Sequence, residues 1–355
     1  MTAERVLGRF REYMLGPTRF MNLLCAFELG IVDALRRDSG MTAAQVGAVV
    51  GAAPDAVEQL LHLLVKEDLV AYDDESRTYA LAELAAVAEG DLQRVLAIMN
   101  MIKMVVLRQS FYLSDSVRTG TTVGLKKLYG HTGNLYEALA ELKELRESWG
   151  TMMDAVTAHI DPWFFGNIDI PPGSKVLDLA GNTGLGAILA YRLKTSPGLR
   201  VATFDLPEKE AECLASFKAH GVDEHCSFIG GDVFRSVPEG FDVVLIKHFL
   251  DMFDKNEVLK ILGNTYRALE AGGEVHILGP VYSEDVKDTY AVDFFPTYFL
   301  GCTMGQGGPQ KLSTYQAWLE ECGFTVTKAV AENLGEMPAD ALVAHGILCA
   351  VKPPA

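Results

Sequence analysis

Acids and small residues recur at the ends of successive apolar runs, an arrangement that can build a nucleoside site. Asp178 closes the run Val176-Leu177-Asp178-Leu179 and leads into the turn Ala180-Gly181-Asn182-Thr183-Gly184. Small residues there let a ligand approach the backbone N–H groups that open the next helix. Asp205 and Leu206 follow the run Val201-Ala202-Thr203-Phe204. An acid at the tip of a second strand can take both ribose hydroxyls. A third run leads into Gly230-Gly231-Asp232-Val233-Phe234, where Asp232 can accept from an adenine amino group. A fourth ends in Ile246-Lys247-His248-Phe249-Leu250-Asp251. A dinucleotide site would prefer GxGxxG; Ala180 stands where its first glycine would be, and no such motif occurs. Four polar strand tips in order point to a nucleoside ligand at the carboxyl edge of an open sheet.

Asp251 and His248 are the candidate catalytic groups. Placed on one helical face, three residues apart, they could share a metal. No third ligand accompanies them, so a packed or hydrogen-bonded histidine is expected at 248 and no metal. Asp251 contacts substrate, or else caps the helix that begins near Lys255. Trp149, Phe249, Met252, Phe295, Tyr298 and Met304 are the candidate substrate contacts, suited to an aromatic or lipophilic molecule. Core packing explains many of these side chains equally well.

Positioning such residues requires alternating strands and helices, and the pattern from Lys175 onward supplies them. Short apolar strands at 176–179, 201–204, 226–229, 241–246 and 274–278 are separated by helical stretches at 185–193, 208–220 and 256–269. Alternation of this kind implies βαβ units and a mostly parallel sheet. Residues 1–90 read as helices ending in a two-stranded wing, with Asp55 as the expected cap of the second helix of a helix-turn-helix. Eight Lys and Arg there face fourteen Asp and Glu, so the acidic unit is expected to be structural or dimerising and not to read nucleic acid. Residues 91–165 are helical, rich in Met and aromatics.

The 355 residues leave room for two domains. A formal net charge of −16 disfavours phosphate backbones and anionic membrane surfaces. Six cysteines are scattered singly, without a CxxC pair, which predicts reduced thiols in a cytoplasmic protein. No apolar run approaches the length of a membrane span, and the start MTAERVLGRF lacks a signal-type core.

The motifs DLAGNTG (178–184), FDLP (204–207), GGDVFRSVP (230–238), LIK (245–247), LKILGN (259–264) and AGGEVHIL (271–278) resemble those of class I S-adenosylmethionine-dependent methyltransferases. The likeness is to the caffeate and bacterial natural-product O-methyltransferase type, over nearly the whole chain. It implies an α/β, Rossmann-like doubly wound sheet behind a winged-helix dimerisation domain. The corresponding boundaries are 1–100 for dimerisation, 101–165 for a helical linker and substrate lid, and 166–355 for the cofactor domain. It implies S-adenosylmethionine as cofactor, a homodimer, and a small-molecule substrate. By the same resemblance Gly181 and Gly184 lie under the methionine portion, Asp205 takes the ribose, and Asp232 and Val233 the adenine. Lys247 sits at the cofactor edge of the site and Met153 near the transferred methyl.

The sequence departs from that family at its base. Asp251 stands where a catalytic histidine is usual, and the two supporting acids fall on Gly279 and near Pro309 or Gln310. A carboxylate near pKa 3.9 is about six units, or roughly 8 kcal/mol, short of a phenol near 10. Three readings follow: proximity alone carries the transfer to an anionic substrate; Asp251 holds a positive charge, favouring N- or C-methylation; or the fold performs a non-methylating reaction such as hydroxylation or pericyclic rearrangement. A winged-helix regulator that senses a small molecule is the rival outside enzymology, and the acidic second helix predicts no DNA binding.

Overall fold

The computed structural model describes residues 3–285, 291–333 and 341–354. It divides into two compact units, Met1–Asn100 and Met101–Ala355.

In the first unit, helices Ala3–Glu28, Ile31–Arg37, Ala43–Val50 and Pro54–Lys66 lead to a hairpin of β1 (Val70–Asp73) and β2 (Thr78–Leu81). Local chemistry sets these boundaries. Thr42 accepts from the Gln45 backbone while the Gln45 side chain accepts from Thr42, so the third helix begins with a reciprocal cap. Gly51, at φ 72°, ends it in the left-handed region that glycine tolerates. The expected cap Asp55 is displaced. Pro54 takes the first helical position, where its fixed φ fits and its missing N–H costs nothing, so Ala53 is the cap residue and Asp55 falls in the first turn. Ile31, Leu35, Val46, Val57, Leu61, Leu64 and Tyr79 are the unit's core. On the first helix Leu7, Phe10, Tyr13 and Met14 remain exposed.

In the second unit, helical segments lead to the long helix Lys143–Asn167 and then to the sheet. Its strands are β3 (Lys175–Leu179), β4 (Arg200–Asp205), β5 (Cys226–Gly230), β6 (Val243–Lys247), β7 (Glu274–Tyr282), β8 (Gln310–Lys311), β9 (Thr325–Ala331) and β10 (Ala344–Val351). The spatial order is β5-β4-β3-β6-β7-β10-β9, with β8 beside β7. Strands β3 to β7 run parallel, while β10 lies antiparallel between β7 and β9. Val176, Leu177, Asp178 and Leu179 are all buried, because a strand covered on both faces has no solvent side. Core residues of the sheet's two faces form two separate clusters.

Strand order reverses between β3 and β6. Crossover connections leave that pair in opposite directions, which opens a crevice at their carboxyl ends. The sequence-expected start of β6 at Phe241 moves to Val243; just before it, the Asp242 side chain accepts from Lys175 N at 2.8 Å. Antiparallel β10 places its first residues, and the last residues of β9, at this same carboxyl edge.

Candidate active site

Asp178 approaches the crevice from β3 and Lys247 from β6, and a third charge meets them there. Lys247 Nζ donates to Asp161 Oδ2 at 2.6 Å, with side chains 7% and 0% exposed. A Cβ on Gly186 would lie 2.5 Å from Lys247 Nζ and 2.7 Å from Asp178 Oδ2, so the amine and the carboxylate converge over that glycine. Burial pushes Asp178 up to about 6; Lys247 opposes the rise, and Asp161 and Asp205 add to it. Burial also raises Asp161, against the pull of Lys247. Asp178 Oδ2 and Asp161 Oδ1 are buried acceptors without a donor. Two acids against one lysine leave a surplus negative charge and two open acceptors, a cradle for a cationic N–H donor.

The turn after β3 is shaped by close approach. A Cβ on Gly181 would strike the Asp178 carboxylate and lie 2.8 Å from the Thr203 methyl, and one on Gly184 (φ 81°) would strike Phe217. Ala180 and Asn182 hold positive φ of 58° and 49°, a strain that side-chain-bearing residues keep only when the surroundings enforce it. Ala180 N donates to Phe204 O at 2.7 Å, and Asn182 N to Asp205 Oδ2 at 2.8 Å. Leu206 N donates to the other oxygen, Oδ1, at 2.7 Å, while the Leu206 side chain stays exposed. Asp205 is thus fixed at the tip of β4. Burial raises its carboxyl, and the two N–H donors oppose that.

At the next tip, Gly231 passes against the Phe204 ring, where no Cβ fits. Asp232 Oδ1 accepts from Phe234 N at 2.9 Å, and Val233 is buried beneath it with its carbonyl held by Asn264 Nδ2 at 2.5 Å. Phe234 and Phe249 both meet Phe253 edge-on, at 5.2 and 4.9 Å between centroids, and pack against the sheet core. Phe249, a candidate substrate contact, is part-buried in this wall. Met153 is half-buried on the helix that carries Asp161.

Asp251 lies in the tight turn Leu250–Met252 after β6. It does not cap the following helix: Asp254 does, accepting from Glu257 N at 2.9 Å. The glycine-rich stretch after Met304 packs on this turn, with Gly308 N donating to Asp251 O at 2.6 Å. A Cβ on Gly307 would lie 2.6 Å from Met252 C, and Met304 just before it has φ 55°. Asp251 Oδ1 is buried without a partner. Burial pushes its carboxyl up to about 6, opposed by a backbone N–H and by His345.

Three hydroxyls share this electrostatic neighbourhood. Tyr136, Tyr298 and Tyr315 are raised chiefly by burial and further by the Asp251 charge. Trp149 Nε1 donates to Tyr298 Oη at 3.2 Å, and Tyr136 meets Trp149 edge-on at 6.2 Å. Phe295 is buried in an aromatic cluster, its ring tilted against those of Phe294 and Phe299. Gln109 Nε2 donates to Val105 O at 3.0 Å and to Cys302 Sγ at 3.4 Å, leaving its buried Oε1 without a donor.

His248 departs from the helical-face expectation. Its φ of 48° takes it out of the turn, and its N–H donates to Leu278 O at 2.8 Å, so it does not share a face with Asp251. Burial depresses its pKa well below the ordinary value, reinforced by His345 and Lys247, which favours the neutral ring. Among the described residues, no three His, Cys, Asp or Glu side chains gather as a metal site.

Sequence reasoning missed Asp161, Gly186, Gln109, Tyr136 and Tyr315. Asp161 left one trace, an acid within the apolar stretch Ile160-Asp161-Pro162-Trp163-Phe164-Phe165. Gly186 lies two residues past Gly184, while Gln109, Tyr136 and Tyr315 come from remote segments and carry no local signature.

This doubly wound sheet, with acid-tipped strands converging on its switch point, defines the class of nucleoside-cofactor methyltransferases. Residues 111–325 match the O-methyltransferase domain, and residues 11–88 the O-methyltransferase dimerisation domain. The chain belongs to that family and is an S-adenosylmethionine-dependent methyltransferase. It is 28% identical over 326 residues to 3-amino-4-hydroxybenzoate 4-O-methyltransferase of Streptomyces cremeus, covering 89% of this chain and 84% of that one. It is 22% identical over 340 residues to L-tyrosine C(3)-methyltransferase of Streptomyces lavendulae, covering 96% and 91%. Human N-acetylserotonin methyltransferase, solved with S-adenosylmethionine, shares the fold at a TM-score of 0.81 and 20% identity, covering 100% of this chain and 99% of that one. Among the described residues no single helix is long and apolar enough to cross a membrane.

Proposed function

We propose that this enzyme methylates an aromatic specialised metabolite bearing a hydroxyl or amino group, and that Asp251 contacts the accepting group. One observation carries the reading: a buried carboxylate, with Oδ1 unpartnered, occupies the turn after β6 where the family keeps its histidine. Gln109 Oε1, on a side chain that donates to Cys302 on the helix carrying Tyr298, is a further donorless acceptor. An acceptor presenting O–H or N–H groups satisfies such oxygens, which are costly to leave bare. Two relatives named for amino-bearing phenols, 3-amino-4-hydroxybenzoate and L-tyrosine, support the same substrate class.

The cofactor supplies an electrophilic sulfonium methyl. Asp161 and Asp178 would receive its ammonium, Lys247 would hold the pair of acids in place, and Gly181, Gly184 and Gly186 would leave room for its methionine portion. Asp205 would take the ribose from its fixed position. Asp232, Val233 and Phe234 would hold the adenine, with Gly231 giving passage and Met153 near the methyl. Trp149 and Tyr298 would orient the acceptor, and Phe295, Met252 and Met304 would enclose it. With Asp251 raised to about 6, the gap to a phenol near 10 narrows to about four units, or about 5 kcal/mol. Asp251 accepts the acceptor's hydrogen bond and takes the proton as the methyl arrives. A second copy of the chain would cover the apolar face of the first helix, giving a homodimer.

The test follows S-adenosylhomocysteine release and product mass with 3-amino-4-hydroxybenzoate and L-tyrosine as probes. Wild type should give a methylated product, and Asp251→Asn should lose about 10²–10⁴ in kcat/KM. Full turnover in Asp251→Asn would remove Asp251 from the reaction. Probe conversion without S-adenosylhomocysteine would favour a non-methylating enzyme.

A further inference from the structure

The family's two base-supporting acids are absent from the places where the sequence would carry them, yet Asp251 is not without ionisable company. The last two strands bring a histidine and an acid to the same edge of the sheet. His345 is the second residue of β10 and pairs in register with Pro280 of β7, next to Gly279, where one of the missing acids would stand. Glu332 follows the end of β9. Its Oε2 accepts from His345 Nδ1 at 3.0 Å and from His345 N at 2.8 Å, so one carboxylate oxygen clamps both ring and backbone. The side chains are 11% and 17% exposed, a setting in which a charge-assisted hydrogen bond is not screened away.

Clamping Nδ1 fixes the tautomer and ring plane and leaves Nε2 for another task. The His345 ring meets the His248 ring edge-on at 5.2 Å. His248 in turn is locked by its left-handed backbone and its bond to Leu278, and its Nε2 is buried without a partner. Three residues further on lies Asp251. Glu332, His345 and His248 therefore form a contiguous row of side chains that ends three residues before Asp251.

We propose that the Glu332–His345 pair is the positioning device for Asp251, supplying from β9 and β10 the electrostatic support that family members draw from acids elsewhere in the chain. Glu332 fixes the His345 ring, and His345 supports the ionised form of Asp251 in spite of burial; the His248 ring packs between the His345 ring and the start of the turn that holds Asp251. The groups that bear on His345 are Glu332, His248 and Asp251; His159 on the helix Lys143–Asn167 bears on Glu332, and Lys247 on His248. This inference rests on the proposed role of Asp251, but its test needs no substrate.

The experiment titrates Asp251 by carboxyl ¹³C NMR in aspartate-labelled protein, its resonance assigned by loss in Asp251→Asn. In His345→Gln the Asp251 midpoint should move to higher pH by about half a unit or more, since the group that supports its ionised form has gone. Glu332→Gln, which weakens the clamp on the His345 ring, should move it the same way by less. Calorimetric binding of S-adenosylmethionine checks that each variant is folded, and Glu332→Gln serves if His345→Gln is not. An unmoved Asp251 midpoint in a folded variant overturns the proposal. A normal titration shift with no methylation of any probe would instead sink the assignment of Asp251 to catalysis and leave the positioning pair standing.

Discussion

Removing the Asp251 charge should strengthen the fold while it weakens the enzyme. The carboxyl rises from 3.8 to about 6 in the folded protein. Its folded value exceeds its unfolded one, so the associated stability is present below about pH 4 and lost as pH rises through about 6. Above that the deficit levels off at about two pKa units, or about 3 kcal/mol. Asp251→Asn removes this deficit but introduces a buried amide N–H₂ that needs acceptors, at a cost of about 1–2 kcal/mol. The net gain at pH 7.5 is about 1–2 kcal/mol, or roughly 3–6 °C in Tm for a unit of this size. Thermal unfolding followed by circular dichroism at several pH values reads the effect. The advantage of Asn should be constant above pH 7 and shrink as pH falls below 6. A variant that melts lower than wild type at pH 7.5, or one whose advantage ignores pH, would show that the carboxylate is well solvated. The claim that a poised acid sits at the acceptor would then fall. Wild-type kcat/KM should correspondingly rise as pH passes about 6, because the ionised form accepts the proton.

Asp178→Asn should lose S-adenosylmethionine by at least about tenfold in calorimetry, since a charge-assisted acceptor for its ammonium disappears. Unchanged affinity would separate Asp178 from the cofactor. Gly186→Ala forces a methyl against Lys247 Nζ and Asp178 Oδ2. It should abolish cofactor binding while far-ultraviolet dichroism remains that of the parent, and retained binding would relocate the cradle. Phe10→Glu combined with Tyr13→Glu should convert a dimer to a monomer in light scattering, because both side chains are exposed on the first helix of the dimerisation domain. A dimer that survives both substitutions uses another face.

Much of the architecture was legible before any coordinates. Strand periodicity, glycines and acids at strand tips are local features, set by the two-residue pleat and by close backbone approach. They placed Asp178, Asp205 and Asp232 at one edge of one sheet, and β3 to β7 form that edge. Cap chemistry was legible with less resolution: Asp55 and Asp251 each competed with a neighbour, and Pro54 and Asp254 took the helix starts.

What the sequence determined by itself is therefore the sheet, its ligand edge and the absence of a histidine from the usual turn. Only the tertiary structure decided what stands with Asp251 and Lys247. Asp161 reaches Lys247 across 86 positions of chain. Tyr298 meets Trp149 across 149, and β10, running antiparallel, carries His345 to the neighbourhood of His248. Such pairings depend on strand order and helix packing, which bring together residues that no local pattern relates.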